Sequence, residues 1–264
     1  MAFIKIAQML YRLKLSGLML LFYCVLFSIA RAEDVFKAGY FAVPLHTELK
    51  GKNSHVAPGL EYFKLITQKM GISHLSLTEY PLARLLMMAE TDKIDAIVLL
   101  ANTAQRQKRL VFSSVALSNL QPVLVLLQQH PLNQINSVED LIGLKIGVWQ
   151  ASVKESLLDD ERIHLSPING NNAISRNLKR IDANRIDALY NPDLNSILYE
   201  LRHGRFNQRF KILNLPTQKI DLNTAFSPAG AKRYKAAYEK ALAELQQTLN
   251  YDSFIMQYLQ TVAH

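Results

Sequence analysis

The chain has 264 residues with 30 Lys and Arg against 22 Asp and Glu, and a single cysteine. Four of those cations, Lys5, Arg12, Lys14 and Arg31, fall in the first 32 residues, so 26 basic side chains face 22 acidic ones in the remainder. That mild balance, without dense Lys/Arg stripes interleaved with aromatics, excludes a nucleic-acid surface.

Residues 1–32 read as a targeting segment. Lys5, Arg12 and Lys14 precede an apolar stretch from Leu15 to Ile29, and Ala30-Arg31-Ala32 supplies a small-x-small site before Glu33 and Asp34. This is the layout of a secretory signal peptide, with cleavage expected after Ala32 and export to the periplasm. The stretch is shorter than the roughly 20 residues a spanning helix needs, although an uncleaved anchor is the alternative. Cys24 lies within it, beside the bulky Phe22 and Tyr23, which argues against lipid attachment. Residues 33–264 therefore contain no cysteine, and their stability rests on a packed core rather than disulfides.

Beyond residue 33, apolar runs of strand length alternate with segments of helical period, the pattern of an α/β protein on largely parallel sheets. "VFKAGYF" is the first predicted strand. "GLEYFKLITQKMG" follows as a helix, with Leu60, Phe63, Ile66 and Met70 at helical spacing and Gly71 as its stop. "HLSLTEY" is a second strand, "LARLLMMAET" a second helix, and "IDAIVLL" a third strand buried on both faces. The character changes at "SNLQPVLVLLQQHPL", which reads as a crossing between lobes. A second α/β series runs from "LKIGVWQ" through "NAISRNLKRIDANRIDALYN" to "FKILNLP". From Ser227-Pro228, an N-cap and first helical position, a long helix carries Tyr234, Tyr238, Ala241, Leu242, Leu245 and Leu249 on one face. A last helix surrounds Phe254, Ile255, Tyr258 and Leu259.

The ordered set "GLEYFKLITQKMG", "EYPLARLLMMAETDKIDAIV", "NTAQRQKRLVFS", "DLIGLKIGVWQAS" and "RIDALY" resembles the family 3 solute-binding proteins, the polar-amino-acid receptors of ABC transporters. The resemblance implies a bilobal periplasmic-binding-protein-like fold of type II: two α/β lobes joined by a two-strand hinge, with ligand enclosed between them. Lobe 1 would comprise residues 33–120 and a return segment 219–264, and lobe 2 residues 121–218. It further implies a threonine capping the helix after the third strand and an arginine three positions on that grips the ligand's carboxylate. Thr103 and Arg106 match, with Asn102 beside them. A guanidinium offers two parallel donors to a carboxylate, and helix N-terminal amides add partial positive charge. Lys108 and Arg109 are expected on the solvated face. The alternative for Arg106 is a pair with a structural carboxylate.

In the second series, Trp149 matches a cleft-lining position, with burial in the core as its alternative. Ser152 and Glu155 form a capping-box pattern, so Ser152 can cap a helix, contact the ligand, or both. Tyr80 and Arg84, in "YPLAR", are weaker cleft candidates; Arg84 can equally pack its stem over the core. The sequence also departs from the family. Leu99 and Ala101 replace hydrogen-bonding residues before the clamp. The aspartate that would hold an α-ammonium, five positions after Asp187, is replaced by Pro192, with Asp193 one place late and Asn191 uncharged. A buried ammonium without a carboxylate is costly, so the expected ligand is a small organic acid or amino-acid derivative, bearing a carboxylate or other small anion and no required ammonium.

The seven histidines, at 46, 55, 74, 130, 164, 203 and 264, never form close metal-binding pairs, and no phosphate loop or GxSxG elbow occurs. No catalytic residue, metal or cofactor is predicted. The chain is expected to be a monomeric binder with a membrane permease or sensor kinase as partner. An alternative is a dehydratase-like enzyme on the same fold, with Glu79 as general acid; another is a ligand-sensing partner of a membrane signalling protein.

Overall fold

The computed structural model describes residues 35–48, 57–170, 172–204, 206 and 209–262. The segment expected to direct export, with its expected cleavage site, lies outside the described residues. Among the described residues, no helix is long and apolar enough to cross a membrane.

Two mixed sheets organise the chain. The first contains β1 (Phe36–Tyr40), β2 (Leu75–Glu79), β3 (Ala96–Ala101), β4 (Val111–Phe112), β5 (Ser118–Leu120) and β11 (Ile220–Phe226), in the order β2-β1-β3-β11-β4, with β5 also on β11. Its centre, β3, is buried at all six residues. That is why its sequence is a continuous apolar run rather than an alternation. β1 runs parallel to β3, while β11 runs antiparallel to β3, β4 and β5.

The helices of this lobe are amphipathic and local in origin. Helix α1 (Pro58–Lys69) begins with proline at its first position and ends where Gly71 takes φ +74°, a left-handed conformation that glycine adopts at little cost. Its buried face, including Leu60, Phe63 and Ile66, packs towards two C-terminal helices. α2 (Leu82–Glu90) buries Leu82, Leu85 and Ala89, and α3 (Ala104–Gln107) is a single turn. After Ser227, whose side chain accepts from Gly230 N, the chain is helical through Pro228–Gly230, a π turn at Ala231–Lys235 and α6 (Ala236–Gln246); α7 (Tyr251–Val262) follows.

The second sheet contains β6 (Val123–Leu127), β7 (Lys145–Trp149), β8 (His164–Ile168), β9 (Ala188–Asn191) and β10 (Phe210–Asn214), in the order β10-β6-β9-β7-β8. Here β7 is parallel to β8 and β9, whereas β6 is antiparallel to β9 and β10. α4 (Ala173–Asp182) turns Ile174, Asn177, Leu178 and Ile181 inward, and α5 (Leu194–His203) completes the layer. Two apolar clusters fill the two faces of this sheet.

The chain crosses between sheets twice, from β5 into β6 and from β10 into β11, and the crossings are tied where Leu215 N donates to Pro122 O at 3.1 Å. The sheets are thus mixed, not largely parallel as the alternating pattern suggested. The difference comes mainly from β11, an unpredicted return strand at the middle of the first sheet. Its polar residues disguise it but bond in place: Thr224 Oγ1 donates to Val98 O at 2.8 Å, and Asn223 Nδ2 to Ser113 O at 2.9 Å.

Candidate functional site

A cavity of about 120 Å3 lies between the two sheets. The first lobe lines it with Phe41, Leu99, Ala101 and Arg106, and the second with Trp149, Ser152, Asn177 and Asn191.

Arg106 reaches the cavity from α3. Thr103, in an extended conformation, caps this turn by accepting from Arg106 N at 3.3 Å. Nη1 of Arg106 then donates back to Ala101 O at 2.9 Å, drawing the guanidinium over the end of β3. Burial lowers the proton affinity of this partly buried group from its ordinary value, and no charged neighbour contributes to the shift. Among the described residues, no carboxylate lies within ion-pair distance of Arg106, so the structural partner of the alternative reading is not found there. Lys108 and Arg109 are exposed, Arg109 reaching Glu90 at 3.3 Å.

The other candidates divide. Trp149, at the end of β7, lines the cavity while stacking on Phe41 across the lobes, with ring centroids 6.1 Å apart at 30°. With Ala151 it also packs on the apolar cluster of the first sheet, so wall and interlobe contact are one residue. Asn191 lines the cavity too, its Oδ1 accepting from Asp193 N at 2.8 Å. Asn102 and Thr103 do not line it. They face a separate groove with Glu155 and Asp221, because the chain turns away after Ala101 and Asn102 N bonds to Asp221 O at 2.8 Å.

Tyr80 and Arg84 also lie outside the cavity lining. Arg84 is exposed with its guanidinium 5.4 Å from the centroid of Tyr80, whose body packs on the first-lobe core. Glu79 is exposed and outside the lining. Ser152 lines the cavity but caps no helix: its hydroxyl donates to Val153 O at 3.2 Å, and the next helical residues are a 3-10 turn at Ser156–Asp159. The capping-box reading fails because Tyr190 Oη, donating to Val153 O at 3.0 Å, fixes this segment to β9, and Glu155 is extended.

A buried polar group that the residue pattern did not reveal joins the lobes. Asp193 caps α5, its Oδ1 accepting from Asn195 N at 3.1 Å and its Oδ2 from Ser196 N at 3.0 Å. The same Oδ2 lies 2.5 Å from Ser196 Oγ and 2.9 Å from His46 Nε2, which belongs to the other lobe. Burial pushes the Asp193 carboxyl up, but the His46 charge and these hydrogen bonds outweigh it and hold it below its ordinary value. On its far side, His46 Nδ1 is 2.8 Å from Tyr251 Oη. The imidazole is presented by a tight turn in which Leu45 adopts φ 72°, uncommon for a branched residue, with Leu45 N bonded to Glu48 O at 2.9 Å. Nothing local in "VPLHT" announces this arrangement. Only the displaced position of Asp193 in the sequence gave a signal.

Among the described residues, no group of three His, Cys, Asp or Glu side chains is placed to hold a metal. No protein-family model matches the chain, and no curated protein does. Solved structures do match. An ancestral arginine-binding protein bound to arginine superposes with TM-score 0.70 at 20% identity, covering 84% of this chain and 97% of that one. The amino acid ABC transporter substrate-binding protein AbpA from Streptococcus pneumoniae, bound to L-arginine, gives 0.69 at 20% identity over 85% and 94%. A double mutant of the BvgS VFT2 domain from Bordetella pertussis gives 0.67 at 16% identity over 84% and 92%. At these identities the likeness defines the fold: the chain has the bilobal periplasmic-binding-protein fold, with its cavity between the lobes.

Proposed function

We propose that this chain is an exported solute-binding protein, a divergent relative of the family 3 receptors, that captures a small carboxylate in the interlobe cavity for ABC transport or sensing. The observation that carries this reading is Arg106: a partly desolvated guanidinium, unpaired among the described residues, in a lining rich in apolar side chains. A cation in that setting gains most from an anion able to take its donors in parallel. Leu99, Leu120 and Leu222 offer the ligand's body apolar contact, in keeping with a small-molecule site that has few polar anchors.

The ligand needs no ammonium. Asp193, the acid a cationic group would seek, is already engaged by His46, Ser196 and Asn195. In effect the protein supplies its own hydrogen-bond partners to that carboxylate. Residues 33–120 and 219–264 would form one lobe and 121–218 the other, opening about the two crossings to admit ligand. A ligand touching both lobes favours closure, since only differential contact shifts such an equilibrium. Residues 1–32 would direct export to the periplasm, which N-terminal sequencing of the mature protein tests.

The binding test is titration calorimetry of the whole mature protein against pentanoate, hexanoate, glutarate and standard amino acids. Carboxylates without an ammonium are expected to bind more tightly than their amino-acid counterparts. Tight binding of zwitterions alone contradicts the proposal. Mass spectrometry of whatever co-purifies from the native compartment then identifies the physiological ligand.

A further inference from the structure

Asn177 is fully buried on α4 and lines the same cavity from the second lobe. Its side-chain orientation is fixed by chemistry. Oδ1 accepts from Arg180 Nη1 at 2.7 Å, and because arginine carries only donors, the amide cannot turn its NH2 towards that neighbour. Arg180 is itself held, with Nη2 2.5 Å from Ser166 Oγ and Nη1 3.2 Å from Ser166 O. Space for the amide comes from Gly147 on β7: a Cβ there would lie 2.6 Å from Asn177 Oδ1 and 2.5 Å from Ile186 Cδ1.

The consequence is a buried donor without an acceptor. Among the described residues, Asn177 Nδ2 is the one buried polar side-chain atom lacking a hydrogen bond that belongs to a cavity-lining residue. Buried polar groups are overwhelmingly paired, and one that is not asks for an explanation at its site.

We infer that Asn177 is the second anchor of the ligand, donating from Nδ2 to an oxygen acceptor carried on the ligand away from the carboxylate that Arg106 holds. This rests on the carboxylate reading above and narrows it to bifunctional acids: oxo acids or dicarboxylates with an oxygen acceptor at each end. The two anchors come from different lobes, so such a ligand bridges them, whereas a simple fatty acid engages only one strong polar group. A site built around a hydrogen bond discriminates against the analogue lacking it, because the donor is then left buried and unpaired.

The test compares pentanoate with levulinate, its oxo derivative, and with glutarate, by calorimetry on the whole mature protein. Levulinate or glutarate is expected to bind at least about tenfold more tightly than pentanoate, whichever wins identifying the second acceptor as a ketone or a carboxylate. Asn177→Asp keeps an oxygen for Arg180 but removes the donor, and Asn177→Leu removes both; in each, the preference is expected to fall to about one. Equal binding of all three acids by the unmodified protein overturns the inference and needs no variant to be folded. A preference unchanged in both variants overturns it as well. Binding of none of the acids overturns the carboxylate reading itself, and this inference with it.

Discussion

His46→Ala removes one side chain from the link between the lobes and leaves the α5 cap on Asp193 intact, since Asn195 N, Ser196 N and Ser196 Oγ remain as donors. In the closed arrangement the Asp193 carboxylate then faces the first lobe without its His46 partner, at 5% exposure. Losing a hydrogen bond to a charged group costs about 1.5–3 kcal/mol. The three surviving donors place this case near the lower end, at about 1.5 kcal/mol. Opening the cleft rehydrates the carboxylate, so the cost falls on the closed form and shifts the open-to-closed ratio by about tenfold. Small-angle scattering of the ligand-free protein is expected to show a larger radius of gyration for His46→Ala. Tyr251→Phe is the control: it deletes the hydroxyl 2.8 Å from His46 Nδ1 within the first lobe, costs about 1 kcal/mol, and should scatter much like the parent. If His46→Ala is folded and its scattering superimposes on the parent's, the link does not hold the lobes together.

Three further outcomes follow from the same geometry. The Asp193 carboxyl is depressed in the folded protein, so the folded state binds fewer protons than the unfolded one over that range. The stability it contributes is complete above the unfolded value near ~3.9 and disappears as pH falls through the lower folded value. Thermal melts between about pH 2 and 6 should therefore show a shallower acid slope for Asp193→Asn than for the parent. Trp149 is the sole tryptophan and stacks on Phe41 across the lobes; its emission should move to longer wavelength in His46→Ala, as opening exposes the indole to water, and an unmoved spectrum counts against that contact as a reporter of closure. Gly59→Ala would place a Cβ 2.5 Å from His46 O, which itself accepts from Gly59 N at 2.7 Å. Overpacking of this kind should cost about 1–3 kcal/mol in denaturant unfolding.

What the sequence made legible follows from period and spacing. "IDAIVLL" announces β3 because a central strand covered on both faces must be apolar throughout. Thr103 and Arg106 are singled out by the resemblance to the family 3 receptors, and the cap they form is one local unit. β11 stayed hidden because Asp221, Asn223 and Thr224 interrupt any strand pattern, and their partners, Asn119, Ser113 and Val98, are distant in sequence. The bond of His46 to Asp193 spans 147 positions, so no local pattern encodes it. Ser152 misled for the converse reason: a capping box is a local signature, and Tyr190, from another strand, overrode it. Asn177 reads from sequence as an ordinary polar helix residue. Its unpaired amide exists only because Gly147 makes room and Arg180 fixes its orientation.

The central claim is that the Arg106 guanidinium binds a carboxylate inside the cleft. Calorimetry of Arg106→Met with the tightest-binding acid of the panel tests it directly, because methionine keeps much of the aliphatic stem and removes only the charged fork. Truncating a buried charge partner costs about 2–5 kcal/mol, so the dissociation constant is predicted to rise by at least about thirtyfold while far-ultraviolet circular dichroism stays unchanged. An affinity equal to that of the parent protein would contradict the account.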